Sequence, residues 1–185
     1  MTQLSDNAAL IIIDVQQGFD FHTAYGTNRN NLQAEANIAR LLNKWRTLKR
    51  PIFHIKHNST EADSALRPGQ VGNDIKPEVA PQGDEPVIGK TVNSAFIGTD
   101  LEQRLRDAKI QQVVMVGLTT NHCVNTTTRM AGNFGFETYI VSDATAAFDR
   151  AGIDGTVYDA QLIHDTSLAN LAGEFAIVIT TDDLL

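Results

Sequence analysis

Six apolar residues in a row, Ala8-Ala-Leu-Ile-Ile-Ile13, stop abruptly at Asp14. A strand with one wet face would alternate polar and apolar residues. An unbroken run of this length reads instead as a strand buried on both faces, the pattern of a parallel sheet covered by helices. The run is far too short to cross a membrane. A charged residue directly after it belongs at the mouth of the sheet.

The rest of the chain repeats the theme. Leu32 to Leu48 places Ile38, Leu41, Leu42, Trp45 and Leu48 at helical spacing, and Pro51 stops that helix. Further short apolar strands are expected at Ile52–Ile55, Pro86–Ile88, Val113–Val116, Thr138–Val141 and Ala176–Ile179. Helices are expected at 98–108, with Thr99 and Glu102 as a capping box, at 122–133 and at 160–171. Strands alternating with helices predict an α/β fold: a three-layer αβα, Rossmann-like domain spanning 1–185, with a six-stranded, mainly parallel sheet. Residues 58–85 hold three of the five prolines and read as one long loop, a length that in a compact domain usually serves function.

In such sheets ligands bind beyond the C-terminal strand ends, where the strand order reverses. Asp14, Lys90 and the Thr119–Cys123 segment all follow predicted strands, so three polar or reactive groups converge on one crevice. Taken alone, Cys123 reads as a small buried hydrophobe, Asp14 as a turn-forming carboxylate and Lys90 as a solvated charge. Together they read as a nucleophile, its base and a cation. A helix start and a nearby ammonium are both expected to lower the thiol pKa.

Other classes are disfavoured. The net charge of −7 gives no basic footprint for nucleic acid. One cysteine allows no internal disulfide, and Met-Thr-Gln-Leu-Ser-Asp-Asn is no signal peptide, so a cytoplasmic chain is expected. Gly89-Lys90-Thr91 imitates the end of a phosphate-binding loop, but residue 84, where its first glycine belongs, is Asp. There is no Gly-x-Ser-x-Gly elbow. His54 and His57 are three apart on a strand and face opposite ways, so no shared metal is expected. His22 and His164 read as surface or core histidines.

Three stretches occur in order: Ile12-Ile-Asp14-Val-Gln16, Gly89-Lys90 with Ser94-Ala95-Phe96, and Gly117-Leu-Thr-Thr-Asn-His-Cys123-Val124. Pro68-Gly69, Gly72, Pro77-Glu-Val79 and Ser142-Asp143-Ala144 accompany them. With them the chain resembles the isochorismatase-like cysteine hydrolases over nearly its whole length. The resemblance implies a catalytic triad of Asp14, Lys90 and Cys123. It implies a cis peptide at Leu118–Thr119, and an oxyanion hole built from the N–H groups of Thr119 and Cys123. It also implies hydrolysis of small amides and a homo-oligomer, dimer or tetramer. The loop and the Thr119–Cys123 segment look closest to the streptothricin-hydrolase-like branch, which opens a cyclic amide. The Asp-x-His metal motif of nicotinamidases is replaced by His54-Ile-Lys-His57, so no metal or cofactor is expected. Pocket walls are expected from Phe19, His57, Asn58, Asn93, Ser94 and Thr120, a lining suited to neutral amides, with Arg67 able to swing in toward a carboxylate. A nicotinamidase-type enzyme, or an idle thiol sensor on the same scaffold, are the alternatives.

Overall fold

The computed structural model describes residues 4–21, 26 and 28–185, so His22 lies outside the described residues. The elements in chain order are β1 (Ala9–Ile13), α1 (Ala34–Leu48), β2 (Ile52–His57), β3 (Val87–Lys90), α2 (Leu101–Asp107), β4 (Gln112–Leu118), α3 (Asn125–Asn133), β5 (Glu137–Ala146), β6 (Arg150–Ala151), β7 (Val157–Tyr158), α4 (Ala160–Ala169) and β8 (Ile177–Ile179). Six strands form one sheet in the order β3-β2-β1-β4-β5-β8, every neighbouring pair parallel. The order reverses between β1 and β4, which places the expected crevice at their C-terminal ends.

Alternation along each strand divides the core into two. Ile11, Ile13, Val113 and Met115 face α2, α3 and α4 through Leu101, Leu105, Ala131 and Leu168. Leu10, Ile12, Val114 and Val116 face α1 through Ile38, Leu41, Leu42 and Trp45. These are the three layers that the continuous apolar runs require, because both faces of β1 are dry. Burial of one such side chain contributes roughly 1.5–3 kcal/mol, which makes the sheet a rigid platform for the loops above it. The indole N–H of Trp45 donates to Ala8 O at 2.9 Å, so the largest buried side chain leaves no orphan donor. Lys49 turns left-handed at φ 53 to end α1 two residues before Pro51.

Two expectations need revision. The capping box at Thr99 and Glu102 is not formed. Thr99 Oγ1 donates to Ala95 O, and α2 begins at Leu101 after Asp100, whose carboxylate pairs with Arg104 at 2.8 Å. The helix expected from residue 122 is preceded by a π-helical turn, Thr120–Val124, and α3 proper begins at Asn125. The long loop is not featureless. It carries two short 3₁₀ turns, Val71–Asn73 and Pro77–Val79, and is tied to the chain just past β1 by Gln16 Nε2 donating to Asn73 O at 2.8 Å and Lys76 N donating to Val15 O at 2.9 Å. The β6–β7 hairpin was not legible at all.

Gly117 pairs with Ile13 across β1 and β4 and lies at φ 127, a conformation that favours glycine. A Cβ there would stand 2.0 Å from Ile13 O. The close approach holds the two strand ends together beneath the crevice. Gly117→Ala is expected to destabilise the fold by about 3 kcal/mol or more, from backbone conformation and overpacking combined. Urea unfolding checks this, and an alanine variant as stable as the parent would contradict it.

Candidate active site

β1 ends by delivering Asp14. Its N–H still donates to Ile55 O at 3.0 Å, while its φ of 51 turns the chain sharply away from the sheet. Asp tolerates this left-handed conformation better than a branched residue would. The carboxyl is fully buried. β3 delivers Lys90, also buried, and its ammonium donates to Asp14 Oδ2 at 2.6 Å. Lys90 is thus not the solvated charge that its residue type alone suggests. The third group comes from the π-helical turn after β4, which presents Cys123. Asp14 Oδ1 is buried without a conventional hydrogen bond, and the Cys123 thiol, a weak donor, lies beside that carboxyl.

His57 joins this group from the end of β2, where it pairs in register with Lys90. Its Nδ1 lies 3.0 Å from Lys90 Nζ. The ammonium can only donate, so Nδ1 accepts and the imidazole proton sits on Nε2. The buried side-chain amide of Gln16 clamps His57 from both sides. It donates to His57 O at 3.0 Å and accepts from His57 N at 2.8 Å. Gln16 thereby fixes the backbone of His57, whose imidazole accepts the second hydrogen bond of Lys90.

Burial raises the pKa of Asp14, against the opposing attraction of Lys90, so its carboxylate is a stronger base than a solvated one. Burial also raises Cys123, helped by the negative charge of Asp14, and the thiol is pushed up to about 12. Lys90 does act to lower the thiol pKa, as the sequence suggests, but it is outweighed. The expected lowering of the thiol pKa is therefore corrected: desolvation and the carboxylate outweigh the ammonium. Burial, then the charge of Lys90, lower His57, which stays neutral.

An oxygen of Asp14, a nitrogen of His57 and Cys123 Sγ lie within 4.8 Å of one another, a spacing that could hold a metal ion. The Lys90 ammonium is bonded to two of these three residues, and its charge opposes a cation there.

These groups open into a cavity of about 310 Å³. Of the expected wall residues, Phe19, His57 and Asn93 line it. Three others do not. Asn58 accepts from Asn73 Nδ2 at 3.2 Å and braces the loop against Gly89. Ser94 is buried, its hydroxyl 2.7 Å from Met130 Sδ. Thr120 is buried beside His164, 2.9 Å from its Nδ1. Ser59, in the 57–60 segment expected to form the wall, lines the cavity as well. Ser64, Leu66, His122 and Arg150 also line the cavity and were not anticipated. The first two come from the long loop, whose length was the available signal. The Leu118–Thr119 peptide is cis, as the resemblance implies, and both Thr119 and Cys123 reach the cavity. His54 points elsewhere, with Nε2 2.9 Å from Glu85, on the other face of β2 as expected.

Residues 8–183 match the isochorismatase domain. YrdC, an isochorismatase family protein of Bacillus subtilis, is 49% identical over 182 residues, covering 98% of this chain and 96% of that one. The crystal structure of an isochorismatase-family protein from Chromobacterium violaceum superposes with a TM-score of 0.94 at 42% identity, covering 100% of this chain and 94% of the other. An isochorismatase structure from Pseudomonas putida gives 0.89 at 32% identity, covering 97% and 91%. On the domain match and these full-length similarities, this chain belongs to the isochorismatase family of hydrolases.

Proposed function

We propose that the chain hydrolyses the C–N bond of small amides through a thioester on Cys123. The observation that carries this reading is the meeting of a buried carboxylate, a buried ammonium and a thiol at one cavity. Two relatives carry amidohydrolase names: Nicotinamidase 3 of Arabidopsis thaliana and the ureidoacrylate amidohydrolase RutB of Variovorax paradoxus, each 27% identical.

The roles follow from the electrostatics. Asp14 takes the thiol proton as sulfur attacks the carbonyl carbon, and Lys90 holds Asp14 ionised until that moment. The oxyanion is received by the N–H groups of Thr119 and Cys123; removing one such donor elsewhere typically costs a factor of about 10²–10³. The protonated Asp14 then returns its proton to the departing amine. Water adds to the thioester, giving the acid and restoring the thiol. No metal enters any of these steps. Action in the cytoplasm as a homo-oligomer, and a cyclic amide as substrate, complete the proposal.

A hydrolysis panel of nicotinamide, a cyclic amide antibiotic and small linear amides, with and without chelator, tests it. Turnover indifferent to chelation is expected. If nicotinamide were the best substrate and chelation abolished its hydrolysis, the metal-free reading would fail.

The thiol-sensor alternative is disfavoured by the pKa direction. A sensor needs a resting thiolate, and this thiol is held near 12. Iodoacetamide should therefore label Cys123 slowly at pH 8, more slowly than a solvated thiol of pKa about 8.5. In Asp14→Asn the negative charge is gone, so labelling at fixed pH should accelerate while hydrolysis falls roughly 10²–10⁴-fold. Fast labelling of the parent at pH 7, with slower labelling in Asp14→Asn, would favour the sensor.

A further inference from the structure

Six of the nine arginines pair with a carboxylate within the chain. Arg67 and Arg129 donate instead to backbone or amide oxygens. Arg150 makes no such side-chain contact among the described residues, and it is the one that borders the catalytic cavity.

Its place is built, not incidental. Arg150 begins β6 and is held by backbone pairing with Tyr158 of β7. Two residues earlier, Phe148 stacks on Phe19 of the cavity wall with ring centroids 6.3 Å apart. Arg150 also borders a small adjoining recess beside Asn121, His122 and Phe148. The acid lining the cavity, Asp14, is already neutralised by Lys90. Burial, then the charge of Arg150 itself, lower the pKa of His122, so the imidazole adds no cation and no anion. Among the described residues, the cavity rim thus carries an arginine that forms no ion pair, the side chain best shaped to grip a carboxylate with two parallel hydrogen bonds.

We infer that Arg150 selects amides that carry a carboxylate on the far side of the molecule from the scissile bond. The inference rests on the amide-hydrolase reading and revises the lining expected from sequence. Arg67, the arginine expected to swing in, donates to Ala62 O at 2.9 Å and does not line the cavity.

The test compares succinamate and glutaramate with their methyl esters, in the parent and in Arg150→Gln. The parent should favour the acids in kcat/KM by tenfold or more. Arg150→Gln should raise KM for the acids roughly 10–100-fold, change KM for the esters by less than threefold, and Arg150→Lys should recover part of the loss. An acid preference that persists in Arg150→Gln, or a parent that prefers the esters, would overturn the inference. Calorimetric binding of succinamate to Cys123→Ala separates the two claims. Binding that weakens on adding Arg150→Gln, without turnover of any amide by the parent, upholds the carboxylate site and rejects the amide-hydrolase reading. Succinamate binding no tighter than its ester, or unchanged by Arg150→Gln, rejects the carboxylate site whatever the turnover.

Discussion

Cys123→Ala is expected to lower kcat by a factor of about 10⁴ or more while leaving the fold intact, because removal of a nucleophile leaves only binding and oxyanion stabilisation. The side chain is only partly buried, so the stability change should stay within about 1 kcal/mol. Substrate should still bind. The loss therefore belongs in kcat, with KM changed little, and melting curves alongside steady-state rates would separate a lost nucleophile from a lost fold. A variant that keeps full turnover would require a different nucleophile in the cavity.

Lys90→Met carries the largest expected effect on stability. It removes one member of a fully buried ion pair and leaves the Asp14 carboxylate without its 2.6 Å partner. Breaking such a pair from one side typically costs about 3–5 kcal/mol. Asp14 can escape that cost by taking up a proton, which also removes the base, so hydrolysis should fall with stability. The pH dependence has a definite sign. A carboxyl whose folded pKa lies above its unfolded value binds more protons in the folded state, so stability rises as pH falls through the folded pKa. Lys90→Met should thus be less impaired at pH 5 than at pH 8. The double variant Lys90→Met/Asp14→Asn should recover much of the stability and none of the activity. Urea titrations at the two pH values check both points. A single variant equally stable at pH 5 and 8, with no recovery in the double, would show that the pair is not buried and coupled as described.

Much of this arrangement is legible in the amino-acid sequence. The run Ala8–Ile13 ending in Asp14 announces both a doubly covered strand and the position of its charge, because burial on two faces leaves no polar position within the strand. The strand ends that converge are those that the parallel topology dictates. What escaped depends on contacts between distant segments. The sign of the Cys123 shift turns on how deeply the thiol is desolvated and on which oxygen of Asp14 it faces, and neither has a local signature. His57 was expected in the cavity wall, yet its bond to Lys90 follows from a β2–β3 register that residue type does not reveal. Arg150 was missed because a two-residue strand carries no periodicity. Ser94 and Thr120 were expected to face substrate. Their hydroxyls turn instead to Met130 and His164 in the packed interior.

The central claim is that Cys123 carries the acyl group between two halves of one reaction. Rapid acid quenching during turnover of a hydrolysed amide, followed by intact mass and peptide mapping, tests this most directly. The account predicts a mass increase equal to the acyl fragment, located on the peptide containing Cys123, lost on hydroxylamine treatment and absent from Cys123→Ala. Steady hydrolysis with no adduct on Cys123 at any quench time, together with a Cys123→Ala variant that turns over at the parent rate, would contradict it.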